Sequence, residues 1–170
     1  MTDAVPLILT ALMERSAFAR FDALRRAHFP PERNLLGAHI TMFHHLPGPQ
    51  SAEIVRELKD AARHETRMAA RASRLHFMGR GSSIIVDSEA LSEFRARLAA
   101  NWAPLLVPQD SQGWRPHVTV QNKGEGKAAK ALYNRLSDEF TPWPFIIEGV
   151  SLWWYRGGPW EKLRDIRFPA

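Results

Sequence analysis

One short pattern occurs twice in this chain: an apolar stretch that holds a His, one aliphatic residue and a Thr. It reads "GAHITMF" at Gly37–Phe43 and "RPHVTVQ" at Arg115–Gln121, with the two histidines 78 residues apart. Side chains alternate along an extended strand, so residues i and i+2 share a face. His39 and Thr41 therefore project together, as do His117 and Thr119, while Ile40, Met42, Val118 and Val120 point toward a core. A His beside a Thr is costly to bury without partners. Two such pairs at matching places point to one shared polar cleft.

The surrounding segments repeat as well. Residues 5–12 form a short aliphatic strand, and Phe18, Phe21, Leu24 and His28 recur at helical spacing until "FPPER" stops the helix. Leu35–Phe43 is the next strand, and Ser51 caps a helix with Ile54, Leu58 and Ala62 on one face. Strands at 68–78 and Ser83–Val86 flank the turn "GRGS"; Asp87 or Ser88 then caps a helix bearing Leu91, Phe94 and Leu98. The second motif strand spans Pro116–Gln121, Leu132, Leu136 and Phe140 mark another helix, and the chain closes in a hairpin about Gly157-Gly158. The 78-residue offset also brings Leu7 onto Ile85, Leu58 onto Leu136 and Phe77 onto Tyr155, in pattern rather than identity. The expected fold is one domain, 1–170, whose two similar lobes (about 1–80 and 81–170) are related by a pseudo-two-fold axis, without a linker.

Bulk properties narrow the class. A chain of 170 residues can bury a sizeable core. It has no cysteine, which excludes disulfides, cysteine nucleophiles and cysteine-bound metal. The apolar run "VPLILTALM" follows Asp3 with no Lys or Arg before it, so a signal peptide fits poorly, and no stretch reaches membrane-spanning length. A cytoplasmic monomer with no membrane partner is expected. The net charge of +5 permits an anionic partner such as RNA or a nucleotide, although the arginines are spread over the helices.

Of the seven histidines, five are set apart from the motif pair. His64 belongs to a third His-x-Thr, "HET", at the polar end of a charged helix, where nothing aims both side chains into a cleft. His28 on a helix face and His76 in a strand have structural readings. His45 shares strand parity with His39 and can border the cleft, whereas His44 faces away. No carboxylate lies near them in sequence to complete a metal site.

Two facing His-Thr pairs suit displacement at phosphorus. The attacking and leaving oxygens lie roughly in line, one needing to lose a proton and the other to gain one. Histidine does either near neutral pH, and Thr hydroxyls can hold non-bridging oxygens as charge builds. Two hydrophobic-His-x-Thr-hydrophobic strands about eighty residues apart, in a chain of this size, resemble the 2H phosphoesterase superfamily. Within it the chain is similar to the proteins called 2'-5' RNA ligase or RNA 2',3'-cyclic phosphodiesterase.

The resemblance spans the whole chain and implies a bilobal α+β fold, with two mostly antiparallel sheets lining a central cleft and helices outside. It implies no cofactor and no required metal. The implied activity is opening of 2',3'-cyclic phosphate ends of RNA or nucleotides, with 2'-5' ligation or 2'-5' cleavage as alternatives. His39 and His117 would be the acid/base pair, and Thr41 and Thr119 the phosphate anchors. Strand parity adds Phe43 and Arg115 to the cleft face. Arg115 can attract a phosphate, and Phe43, Trp114 and Trp160 can stack on a base. A non-catalytic RNA or nucleotide-binding protein and a metal-dependent hydrolase remain the competing classes.

Overall fold

The computed structural model describes residues 5–170; Asp3, on which the reading of the N-terminus leaned, lies outside them. Among the described residues, seven strands and five helices follow one another. They are β1 (Leu7–Met13), α1 (Arg15–His28), β2 (Thr41–Leu46), α2 (Ser51–Arg63), β3 (Met68–Phe77), β4 (Ser82–Asp87) and α3 (Glu89–Asn101). After these come a single turn α4 (Pro108–Ser111), β5 (His117–Gln121), α5 (Gly126–Glu139), β6 (Trp143–Trp154) and β7 (Glu161–Arg167). None of these helices is long and apolar enough to cross a membrane.

The strand pairings are antiparallel, in the order β2-β1-β6-β3-β4-β5, with β7 added to β6. The order reads alike from both ends, each motif strand standing at an outer edge. The long strand β6 joins the halves. Its first part, Trp143–Ile147, pairs with β3; its second, Gly149–Trp154, pairs with β7; and β1 runs along the other side from Ile147 to Trp154. The two expected sheets are thus continuous through one shared strand.

The halves do not divide near residue 80, as the sequence suggested. β6 and β7 return to the half built on β1, α1 packs against β5, and α5 packs against β3. Each half therefore borrows from the other end of the chain. Leu24 of α1 makes the reason visible: with Ile84, Val120 and Leu136 it lines a small apolar cavity on the far side of β4 and β5. The other core layer gathers Leu7, Leu9, Met42, Phe43, Ile54, Leu58 and Phe94, all buried. Each such side chain contributes about 1.5–3 kcal/mol by leaving water.

Helix starts follow local chemistry. Ser88 caps α3, its Oγ accepting from the Leu91 N–H at 3.2 Å, and the Glu125 carboxylate accepts from Lys127 and Ala128 N–H at the start of α5. Ser51 is no cap. It is the first helical residue, entered from a 3-10 turn at Gly48–Gln50 that already sets the direction of α2.

Gly149 sits where β6 changes partner. A Cβ there would lie 2.2 Å from the Ile166 carbonyl oxygen and 2.8 Å from the Arg167 Cα. Gly149→Ala should push β7 off β6 and cost about 1–3 kcal/mol, the usual range for an overpacked site. A urea midpoint equal to that of the unmodified protein would show that β7 moves without penalty.

Candidate active site

His39 lies just outside β2, which starts at Thr41 rather than near Leu35 as expected. Residues 35–40 form a connection tied to β1 by the Ala11 N–H, which donates to the Ile40 carbonyl at 2.9 Å. Within this connection His39 Nδ1–H donates to the Gly37 carbonyl at 2.9 Å; His117 Nδ1–H donates to the Arg115 carbonyl at the same distance. A carbonyl only accepts, so in both rings Nδ1 holds the hydrogen and Nε2 is left for chemistry. The same i to i−2 anchor thus fixes the tautomer at both motifs.

The threonines match as well. Thr41 stands opposite Thr10 and Thr119 opposite Ser83, so each motif strand has a second hydroxyl beside it on the same face. Thr10 Oγ1 accepts from the Trp153 indole N–H at 2.9 Å. Ser83 is buried, and its hydroxyl has no partner among the described residues.

Three side chains hold the two motifs from behind. Arg25 of α1, buried, donates from Nε to Asn34 Oδ1 and the Leu36 carbonyl, and from Nη1 to the Thr119 carbonyl at 2.9 Å. Trp114, just before β5, donates from its indole to the Thr41 carbonyl at 2.9 Å. Arg95 of α3 donates to the carbonyls of Met42 and Asp110. Arg25, Arg95 and Asp110 escaped the sequence reading. Their one signal there is a charged residue on an otherwise apolar helix face (Arg25, Arg95).

Asp110 is fully buried and accepts from the backbone N–H of His44 and His45 and from His44 Nδ1 at 3.0 Å. Burial alone would raise its carboxyl. The hydrogen bonds from His44 and His45 outweigh that and hold it below the usual carboxylate range. His39 moves the other way. Burial drives its imidazole down to about 4 against the help of the Gly37 carbonyl, and the charges of Arg25, His117 and His44 lower it further. His39 is therefore neutral at neutral pH.

The remaining candidates divide. Trp160, on the β6–β7 hairpin, packs its ring 4.8 Å from that of His39, with Trp153 at 6.2 Å beyond it. Arg115 is exposed, and its carbonyl, rather than its guanidinium, engages His117. Phe43 is not on the cleft face. The register shifts between Thr10–Thr41 and Leu9–Phe43, a bulge that turns both Met42 and Phe43 into the core, where Phe43 meets Trp102 and Arg95. Trp114 is half-buried with its N–H committed to the Thr41 carbonyl, so it braces the first motif strand.

His44, expected to face away, holds its Nδ1 3.0 Å from Asp110. His45 is exposed beside it. His76, expected to be structural, is exposed and pairs with Ser83, which puts it on the face of Thr119. His28 is half-buried in α1. His64 ends α2, exposed. Among the described residues no three His, Cys, Asp or Glu side chains cluster as a metal site would need.

Beside His39 opens a cavity of about 450 Å³ on the β1–β6–β7 face. Trp153, Trp160, Phe18 and Leu35 supply its apolar walls, and Arg15, Lys162 and Arg167 its cations.

Replacing His64 with Ala should leave any phosphodiesterase rate within a few-fold, since its His-x-Thr ends α2 and lies on neither motif strand. A loss like that of His39→Ala would sink the distinction. Asp110→Ala should lower the thermal midpoint by several degrees, because the His44 and His45 N–H groups lose a charged acceptor, at about 1–3 kcal/mol each. Calorimetry at pH 7 reads this directly.

The geometry can be set beside known proteins. A family model described as the 2'-5' RNA ligase superfamily matches residues 13–159. No curated protein sequence matches significantly. Among solved structures, TT0787 of Thermus thermophilus superposes with a TM-score of 0.71 at 15% identity, over 96% of this chain and 97% of that one. LigT of E. coli in its apo form gives 0.64 at 13% identity, over 99% and 100%. LigT complexed with 3'-AMP gives 0.60 at 14%, over the same shares. These likenesses give the fold, and the family match spans most of the sequence: the chain belongs to the 2'-5' RNA ligase superfamily, a 2H phosphoesterase group.

Proposed function

We propose that the protein is a phosphodiesterase that opens 2',3'-cyclic phosphate ends of RNA or nucleotides in the cytoplasm, without needing a metal. The matched Nδ1 anchors carry this reading, because they prepare two imidazoles alike, each with Nε2 available. Neutral His39 takes a proton from a water whose oxygen attacks phosphorus. The P–O3' bond breaks in line, and protonated His117 supplies the proton that the leaving O3' needs, giving a 2'-phosphate. Thr41 and Thr119 hydroxyls donate to the non-bridging oxygens, where they act most strongly as charge accumulates. A nucleotide ligand in this fold has a precedent in LigT complexed with 3'-AMP. A 5'-hydroxyl in place of the water would give 2'-5' joining at the same phosphorus.

His39→Ala and His117→Ala should each lower kcat/KM by about 10²–10⁴, the scale of general acid–base catalysis. Thr41→Val and Thr119→Val should lower the rate while both limbs of the pH profile survive. Cyclic nucleotide turnover with and without chelator tests the class: activity lost on chelation and restored by metal would overturn the two-histidine reading.

The pH profile carries a sign. His39 must be neutral in the free protein, and its pKa lies at about 4 rather than 6.5. The acid limb of kcat/KM should thus fall as pH drops through about 4, and His39→Ala should abolish that limb. An acid limb near 6.5 that persists in His39→Ala would assign the base elsewhere.

A further inference from the structure

The histidine and threonine pairs are nearly symmetric, but the space around them is not. The cavity beside His39 takes its walls from β1, the connection 35–39, α1, β6 and β7; among the described residues, none of β3, β4 or β5 lines it. Its volume of about 450 Å³ falls within the roughly 300–1,000 Å³ usual for small-ligand sites. Phe18 and Leu35, 39% and 59% exposed, stand among its walls. Large exposed apolar groups gathered at one opening are a mark of ligand contact.

The charges at its edge are unevenly spent. Lys162 is paired with Asp165 at 3.1 Å and Arg167 with Glu148 at 2.9 Å. Arg15 has no carboxylate partner among the described residues, which leaves one uncompensated cation beside an aromatic wall. A cyclic phosphodiester is lopsided in the same way, since both ester oxygens belong to one ribose and the nucleoside extends to one side only.

Resting on the function proposed above, we infer that this cavity seats the nucleoside of the cyclic phosphate, its base against Trp153 and Trp160. We further infer that Arg15 binds an anionic phosphate one ribose away. That anion can be a 5'-phosphate on a mononucleotide or the phosphodiester of a preceding RNA residue. Trp160 then serves twice, as a wall for the base and as the ring packed against His39.

Three substrates test the inference: adenosine 2',3'-cyclic phosphate, its 5'-phosphorylated form, and ApA ending in a 2',3'-cyclic phosphate. The anionic forms should show a KM roughly tenfold lower, the scale of one charge-assisted hydrogen bond. Arg15→Gln, checked for an unchanged thermal midpoint, should bring the three KM values together. An advantage for the 5'-phosphate alone identifies a free nucleotide as the substrate; one for ApA identifies an RNA end. Equal KM values for all three in the unmodified protein would overturn the inference and leave the proposed function standing. Turnover of none of them would instead overturn that function. The cavity then has its own readout, quenching of tryptophan fluorescence by adenosine 5'-monophosphate, reduced in Trp153→Phe and in Arg15→Gln. Absence of quenching overturns the inference on its own.

Discussion

A single buried guanidinium links the two motifs. Arg25 donates to the amide of Asn34 and the carbonyl of Leu36, just before His39, and to the carbonyl of Thr119, two residues after His117. The connection carrying His39 lacks the ladder of a strand, so its position depends on such contacts. A planar guanidinium presents its donors as a rigid fork, which a lysine cannot reproduce. Leaving such a buried donor without its acceptor costs about 1–3 kcal/mol. Burial is the main cause of the lowered His39 pKa, and the charge of Arg25 adds to it.

Arg95 plays the matching part behind the other motif strand, donating to the Met42 carbonyl. Symmetry is therefore deeper than the His-x-Thr signatures, since each strand has a helix-borne arginine at its back. It ends at the substrate side. One half has Trp153, Trp160 and a cavity; the other has His76 and the Ser83 hydroxyl, which has no partner among the described residues. The two motifs are thus alike in their histidine anchors and differ in what surrounds them.

Much of this was legible in the sequence. The repeated His-x-Thr pattern marked the two segments that end at the sheet's outer strands, and the order of elements announced two similar halves. The failures have local causes. Strand parity assumes an unbroken ladder, and the bulge at Met42 and Phe43 breaks it, so Phe43 went to the wrong face. The division near residue 80 assumed that neighbours in sequence are neighbours in space, whereas α1 crosses to β5. Arg25 and Asp110 act over long separations, Arg25 on Thr119 and Asp110 on His44, and nothing in a linear pattern marks those partners. Trp160 could be named from the aromatic run near the C-terminus, but its contact with His39 depends on how the hairpin folds back.

Asp110 has one more consequence. β2 ends the sheet, and an edge strand with free N–H groups invites another chain to add itself. The bulged backbone turns two consecutive N–H groups, those of His44 and His45, toward the same carboxylate. Where a foreign strand would offer carbonyls, the edge is already filled by an acid that no extended backbone can displace at low cost. The residue that fixes the motif strand also guards the protein against edge-to-edge aggregation.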